Sequence, residues 1–124
     1  GNGGMLHGFR DSQSANDSSD GREIFAYVPG GLLGSLRHLA DPAYGTPELA
    51  HRYFVDGPLR EADVHVRAPA ATAASWRNYL FGSAGAGGRL VFALDITDPE
   101  RLGAQSVRWE LSASSQPACC QAGP

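Results

Sequence analysis

The sequence has 124 residues, of which 42% are hydrophobic and 19% are charged, a composition typical of one globular domain or of part of one. Its formal net charge of -3 argues against electrostatic binding to nucleic acid or to anionic lipid, so neither is expected as a partner. No apolar run approaches the ~18 residues that a membrane-spanning helix needs, and the first residues lack the pattern of a signal peptide.

A pair of strands is predicted at the start of the chain. Residues 5–9 read as a short strand, and residues 23–28 read as a second one that ends at Pro29. The stretch between them, residues 11–21, is polar and rich in Ser, Asn and Asp. We therefore expect the two strands to pair as a hairpin with a long loop.

One helix is predicted next, within an insertion over about residues 31–41. Apolar residues recur in it at a spacing of three to four, which places them on one face of a helix. They are Leu32, Leu33, Leu36, Leu39 and Ala40. Pro42 ends the pattern because proline disfavours helical geometry in the residue before it. Residues 43–51 are predicted as a loop.

Strand patterns dominate the remainder. They cover residues 52–55, 62–67, 76–82, 90–96 and 107–111. The second and the last of these alternate apolar and polar side chains, as half-buried strands do. The run at 90–96 is nearly all apolar and suits a strand covered on both faces. The Ala-rich segment 68–75 is predicted as a hairpin loop, with a short helix as the alternative.

The last four strands together have the character of a propeller blade. Their predicted burial runs from half-buried through two buried strands to a half-buried edge, as in a meander whose inner part lies between neighbouring blades. The first two strands would then be the outer half of the preceding blade. A blade takes about 40–50 residues and a propeller needs at least four blades. The sequence therefore predicts an all-β, antiparallel propeller fragment of about one and a half blades, taken from a longer protein.

Several segments resemble the C-terminal, quinoprotein-like β-propeller of the PilC/PilY family. They are GMLHGF at 4–9, EIFAYVP at 23–29, LADPAYG at 39–45, HRYFVDG at 51–57 and GAGGRLVFALDITDP at 85–99. The resemblance covers about residues 1–111, which are assigned to a partial propeller domain. Residues 112–124 contain no large apolar side chain and are predicted to be a disordered or aberrant tail.

The resemblance implies a function. Members of the PilC/PilY family are type IV pilus biogenesis factors and tip-associated adhesins of Gram-negative bacteria. It implies a non-enzymatic part of such a protein at the cell envelope, outer membrane or pilus tip. The implied partners are the remaining blades of the parent protein, pilin or minor pilins, and a host surface. The family's calcium site belongs to a later part of the propeller, so no cofactor is expected in this segment.

Two motifs suggest ligands but fail on spacing. The glycine cluster at 82–88 has Gly88 where a phosphate-binding loop requires Lys, and a strand follows it rather than a helix. We interpret it as a tight turn. Residues 16–21 faintly resemble a calcium loop, but the position of its bidentate acid is Tyr27, so a solvated loop is favoured.

No catalytic, cofactor-binding or metal-ligating residue is predicted. The four histidines lack the spacing of a zinc-protease helix and are assigned structural or surface roles. They are His7, His38, His51 and His65. Asp95 and Asp98 flank the end of a strand, where Asp often bonds the backbone of a turn, and we prefer that role to an acid–base pair.

The adjacent cysteines Cys119 and Cys120 support the alternative function. Quinoprotein alcohol dehydrogenases have a similar fold and carry a vicinal disulfide against their quinone. Residues 117–120 resemble that stretch, but residues 121–124 depart from it. A fragment of a quinoprotein dehydrogenase propeller is therefore the alternative to the pilus protein.

Overall fold

The computed structural model describes residues 3–12, 16–67 and 71–113, and in these ranges strands predominate. The elements are β1 (Leu6–Phe9), β2 (Glu23–Tyr27), α1 (Leu33–Leu36), β3 (Leu59–Val66), β4 (Ser75–Ser83), β5 (Leu90–Asp95) and β6 (Val107–Ser112). Short 3-10 turns flank α1 and follow β4 and β5. The predicted strand positions are confirmed for all six strands, with boundaries that shift by up to three residues.

The strands form two antiparallel sheets. β1 pairs with β2 as the predicted hairpin. The other four strands form a meander in the order β3-β4-β5-β6, so each strand pairs with its neighbour along the chain. Because β3 and β4 pair directly, the segment between them is a hairpin connection, as predicted; residues 68–70 lie outside the described residues.

The single predicted helix is wrong in its extent. Only Leu33–Leu36 is α-helical, between the 3-10 turns Gly30–Leu32 and Arg37–Ala40. The glycines in and before this segment disfavour a regular helix. The apolar stripe is also narrower than predicted. Leu32 is buried and Leu36 and Leu39 pack on the core, whereas Leu33 is 59% exposed.

The predicted strand at 52–55 does not exist. Phe54 and Val55 are instead core residues of an irregular segment, exposed by only 1% and 4%. The segment continues along the turn after β4, where the N–H groups of Asp56 and Gly57 donate to the carbonyls of Ala84 (3.1 Å) and Ser83 (3.2 Å). Burial of Phe54 and Val55 and these two hydrogen bonds of the residues that follow hold the segment against the sheet without strand pairing.

The core lies between the four-stranded sheet and the segments that precede β3 in the chain. The first part of the chain contributes Leu6, Leu32, Phe54 and Val55. Strand β5 contributes Leu90, Phe92 and Leu94, and Ala84 joins them from the turn after β4. Side chains alternate between the two faces of a strand, so only one face of β5 points into this core. We call it the inner face of the sheet, and the opposite one the outer face.

The glycine cluster forms the tight turn that its composition predicts. Ala84 N–H donates to Leu90 O (3.0 Å), which closes the β4–β5 connection, and the residues between form a 3-10 turn, Gly85–Gly87. A Cβ atom on Gly87 would overlap the carbonyl of Phe54. Gly is therefore needed here for a close approach to the segment at 54–57.

Strand β6 runs one residue past the domain boundary that is predicted after Leu111. Ser112 is the last residue of β6, and Ala113 N–H donates to Arg89 O (3.1 Å). The paired strand thus extends past the boundary drawn after Leu111. The predicted disorder of the rest of the tail concerns residues 114–124, which lie outside the described residues.

Candidate interaction surface

Asp95 has a structural role at the end of β5. Its Oδ2 accepts hydrogen bonds from Nε (3.0 Å) and Nη2 (2.7 Å) of Arg77, and its Oδ1 accepts from Thr97 Oγ1 (2.7 Å) and N (3.2 Å). Burial by itself would raise the pKa of Asp95, but the hydrogen bonds from Thr97 and Arg77 outweigh it and hold the pKa below its usual value. The predicted turn bonding to the backbone is confirmed.

Asp98 does not join this cluster as a second acid. It lies in the exposed turn after β5, with one carboxylate oxygen 3.8 Å from Nε of Arg101. A depression of about 650 Å³ beside it is lined by three arginines and two aspartates, Arg77, Arg101, Arg108, Asp95 and Asp98, together with Gln105, Ser106 and Val107. These opposite charges largely balance.

The Asp-rich loop is organised by its own backbone and hydroxyl groups. Asp17 Oδ1 accepts from Ser19 Oγ (2.7 Å) and N (2.9 Å), and Asp20 Oδ1 accepts from Ser12 N (2.7 Å). The Ser19 hydroxyl is the main cause that lowers the pKa of Asp17, and Ser12 lowers the pKa of Asp20. Such hydrogen bonds are typical of Asp side chains in turns. That this loop does not bind calcium remains a prediction, which titration calorimetry with calcium would test.

The histidines are dispersed over the described structure. His7 Nδ1 lies 2.7 Å from a carboxylate oxygen of Glu23 on the paired strand. His51 packs between two tyrosine rings, and His65 packs on Trp76 with ring centroids 5.2 Å apart. Within residues 3–12, 16–67 and 71–113, no three His, Cys, Asp or Glu side chains come close enough to share a metal ion.

Glu110 was missed by the sequence analysis, although it ties β6 to the helical insertion. Both of its carboxylate oxygens accept from Gly30 N–H, at 2.6 and 2.9 Å. Burial raises the pKa of the neighbouring Tyr27, and the Glu110 carboxylate raises it further. The contact joins residues 80 positions apart, so no local sequence signal points to it.

The outer face of the sheet carries several large apolar side chains that folding leaves partly exposed. Register places large apolar side chains side by side on it: Phe81, Val91, Trp109 and Leu111. Val91, Trp109 and Leu111 are 42%, 40% and 45% exposed. Phe81 and Trp109 pack against each other with ring centroids 6.2 Å apart, above the fully buried Ala93. This apolar face, unlike the dispersed polar residues, has the character of a contact surface.

The comparisons with known proteins agree with the sheet architecture. A family model described as the PilY1 beta-propeller domain matches residues 1–122. The chain belongs to the PilY1 propeller family. The two antiparallel sheets are consistent with a fragment of such a propeller. The match runs past Leu111, the predicted end of the propeller domain.

Curated relatives carry the same assignment. A type IV pilus biogenesis factor PilY1 homolog of Xylella fastidiosa is 40% identical over 114 residues, which is 92% of this chain and 6% of the relative. A second homolog of that bacterium is 41% identical over 101 residues, 82% of this chain and 7% of the relative. The type IV pilus biogenesis factor PilY1 of Pseudomonas aeruginosa strain PAO1 is 36% identical over 116 residues, 94% of this chain and 8% of the relative.

The chain thus spans 6% to 8% of the length of these relatives. No solved structure matches it significantly.

Across the described ranges, no helix has the length and apolar character needed to cross a bilayer. The predicted family and the all-β propeller class are confirmed, and the family assignment supports a pilus-related role.

Proposed function

We propose that this chain is a non-enzymatic part of the propeller of a type IV pilus biogenesis factor, and that the parent supports pilus assembly and surface attachment. The observation that carries the proposal is the match of the PilY1 propeller family to residues 1–122. The parent would act at the cell envelope or the pilus tip of a Gram-negative bacterium, with pilin or minor pilins and a host surface as partners.

The roles of the polar residues support a scaffold. Asp95 bonds Arg77 and Thr97, and Glu110 bonds the backbone of Gly30. Each of these groups holds one element against another. A propeller of this kind presents its rim and its ends to partners, while its blades supply a rigid frame.

A deletion of the parent gene tests the proposal. Surface pili counted by electron microscopy, pilus-driven motility and attachment to a surface should all fall, and the intact gene should restore them. Restoration should fail with a copy that carries Gly87→Val, because the added side chain overlaps the backbone of Phe54 and disrupts the blade. The matched control is Gly34→Ala, where a Cβ atom meets open space.

The purified parent is assayed in parallel for alcohol oxidation with added quinone and calcium. We expect no quinone-dependent turnover. Normal piliation of the deletion strain together with quinone-dependent turnover would contradict the proposal and establish the dehydrogenase alternative.

A further inference from the structure

We propose that the depression beside Arg108 binds a carboxylate group of an acidic polypeptide segment that belongs to a partner protein. This site is independent of the pilus function proposed above. The depression lies at the polar end of the outer face and is lined by five charged side chains, Arg77, Arg101, Arg108, Asp95 and Asp98. These side chains leave one surplus positive charge in a chain whose formal net charge is -3. The surplus charge favours an anionic ligand.

The surplus charge is carried by Arg108. Asp95 neutralises Arg77, whose Nη2 lies 2.7 Å from Oδ2 of the carboxylate. Arg101 has Asp98 beside it, with Nε and Oδ2 3.8 Å apart. Within the part of the chain that the structure describes, the guanidinium of Arg108 has no ion-pair partner. A guanidinium group offers a planar fork of N–H donors that matches the two oxygens of a carboxylate.

A break in the pairing of β5 and β6 directs Arg108 to the depression. Ala93 lies opposite Trp109. The next residue, Leu94, lies opposite Val107, so Arg108 is left without an opposite residue. A bulge of this kind changes the direction of a side chain. Val107 packs against the core, whereas Arg108 is half-buried and lines the depression.

Hydrogen bonds within the β5–β6 connection hold the rim of the depression. Gln105 Nε2 donates to the carbonyl of Arg101 (3.0 Å), and Gly103 N–H donates to Ser106 Oγ (3.2 Å). Ser106 accepts in this bond, so its O–H group can donate to a ligand. The side chain of Arg101 is 84% exposed and extends from this connection. Because Arg101 and Arg108 line the same depression, a bound anion has two guanidinium groups near it.

The charge and the size of the depression favour a carboxylate on a polypeptide. One surplus positive charge balances a carboxylate, whereas a phosphate dianion would be repelled by the nearby Asp95 and Asp98. The volume of about 650 Å³ lies within the range of ~300–1,000 Å³ that is typical of ligand sites, and exceeds what a carboxylate needs. Val107 also lines the depression and can contact the methylene groups of an acidic side chain.

The test is modification of arginines in the full-length parent with phenylglyoxal, which reacts with accessible guanidinium groups. Mass spectrometry locates the modified residues. The probe is the peptide Ala-Glu-Ala with both ends blocked, and the control probe is Ala-Gln-Ala, both at constant ionic strength. The acidic peptide should slow the modification of Arg108 by about threefold or more as its concentration passes the dissociation constant. It should leave Arg60, an exposed arginine outside the depression, unaffected.

A matched pair of variants tests the role of Arg108 directly. Arg108→Gln should weaken binding of a fluorescent acidic peptide to the parent about tenfold, because it removes a charged hydrogen-bond donor. Arg60→Gln removes the same charge elsewhere and should leave the binding unchanged. The melting temperature of the parent should be the same for both variants, which separates lost binding from lost folding.

Three outcomes would overturn the proposal. In the first, Arg108 resists phenylglyoxal in the native parent without peptide, which would show that the parent itself closes the depression. In the second, the neutral peptide protects Arg108 as well as the acidic one, or both variants weaken binding equally. In the third, inorganic phosphate protects Arg108 as well as the acidic peptide does, which would show a general anion site.

Discussion

At the scale of single residues, the described part of the chain is dominated by close packing and by a few polar anchors. Gly87 packs closely against the backbone of Phe54. The Asp95 carboxylate accepts hydrogen bonds from Arg77 and Thr97. Both residues lie at the ends of β5, where the chain turns. Their effects on stability follow from different physics, steric overlap in one case and ionisation in the other.

The substitution Gly87→Ala should destabilise the chain by about 1–3 kcal/mol, because a methyl group there displaces the Phe54 carbonyl. Gly34→Ala should be neutral or slightly stabilising, since its Cβ atom meets open space in a helical turn. Urea unfolding of both variants measures the difference. Equal stability of the two variants would contradict the close packing of Gly87 against Phe54.

Asp95 makes the stability of the chain sensitive to acid. Its pKa is lowered on folding, so its contribution is complete above the unfolded-state pKa of about 3.9 and is lost as the pH falls through the lower folded-state pKa. Asp95→Asn should cost about 1–3 kcal/mol at neutral pH and progressively less below pH ~4.

The control for this prediction is Asp98→Asn, in the exposed turn, which should change stability by less than about 0.5 kcal/mol at neutral pH. Urea unfolding at several pH values from neutral to acid gives both curves. A cost of Asp95→Asn that stays constant down to the acid limit would contradict the ionised Arg77–Asp95 pair.

At the scale of elements, β5 is the centre of the blade. It pairs with β4 on one side and β6 on the other, and all but one of its residues are buried. β3 has one paired side, and its residues are exposed or half-buried. The prediction of a strand at 90–96 that is covered on both faces is confirmed for β5 except at Val91, which is 42% exposed on the outer face. The prediction of a half-buried strand at 62–67 is confirmed at Val64 and Val66, which are half-buried between exposed polar neighbours, whereas Ala62 is exposed.

Hydrogen exchange should follow this difference. The amides of β5 should exchange more slowly than the amides of β3 that pair with β4, because opening β5 disrupts two ladders and the core together. Exchange followed by mass spectrometry on the 124-residue chain resolves the two strands. Faster exchange in β5 than in β3 would contradict its central position.

At the scale of the whole molecule, the chain combines a well-formed core with an open apolar face. The core is closed by residues from both sheets and the helical insertion. The outer face leaves Val91, Trp109 and Leu111 at least 40% exposed, and the sheet edges at β3 and β6 add unpaired backbone groups. A protein of this shape tends to associate through the exposed surface.

The isolated chain should therefore self-associate and melt broadly. Val91→Lys should reduce the association, because it puts a charge in the centre of the outer face. Leu33→Lys, which replaces another exposed apolar residue elsewhere on the surface, should leave the association unchanged. Sedimentation at several concentrations measures both. A monomer with a sharp, concentration-independent melt would contradict this prediction.

The sequence determined the six strands, the hairpin, the turn at the glycine cluster and the family. These features depend on local patterns: alternation in β6, a continuous apolar run in β5, and glycine where the chain turns tightly. Neighbouring strands also pair in chain order, so the meander required no long-range information.

The tertiary structure alone decided the features that depend on distant partners. Phe54 and Val55 have an apolar pattern that suits a strand, but they become core residues of an irregular segment, whose next residues, Asp56 and Gly57, donate hydrogen bonds to Ala84 and Ser83. The Glu110–Gly30 contact and the alignment of Phe81, Val91 and Trp109 likewise arise from separate segments. Local patterns specify backbone conformation, whereas a contact surface exists only after the register of several strands is set.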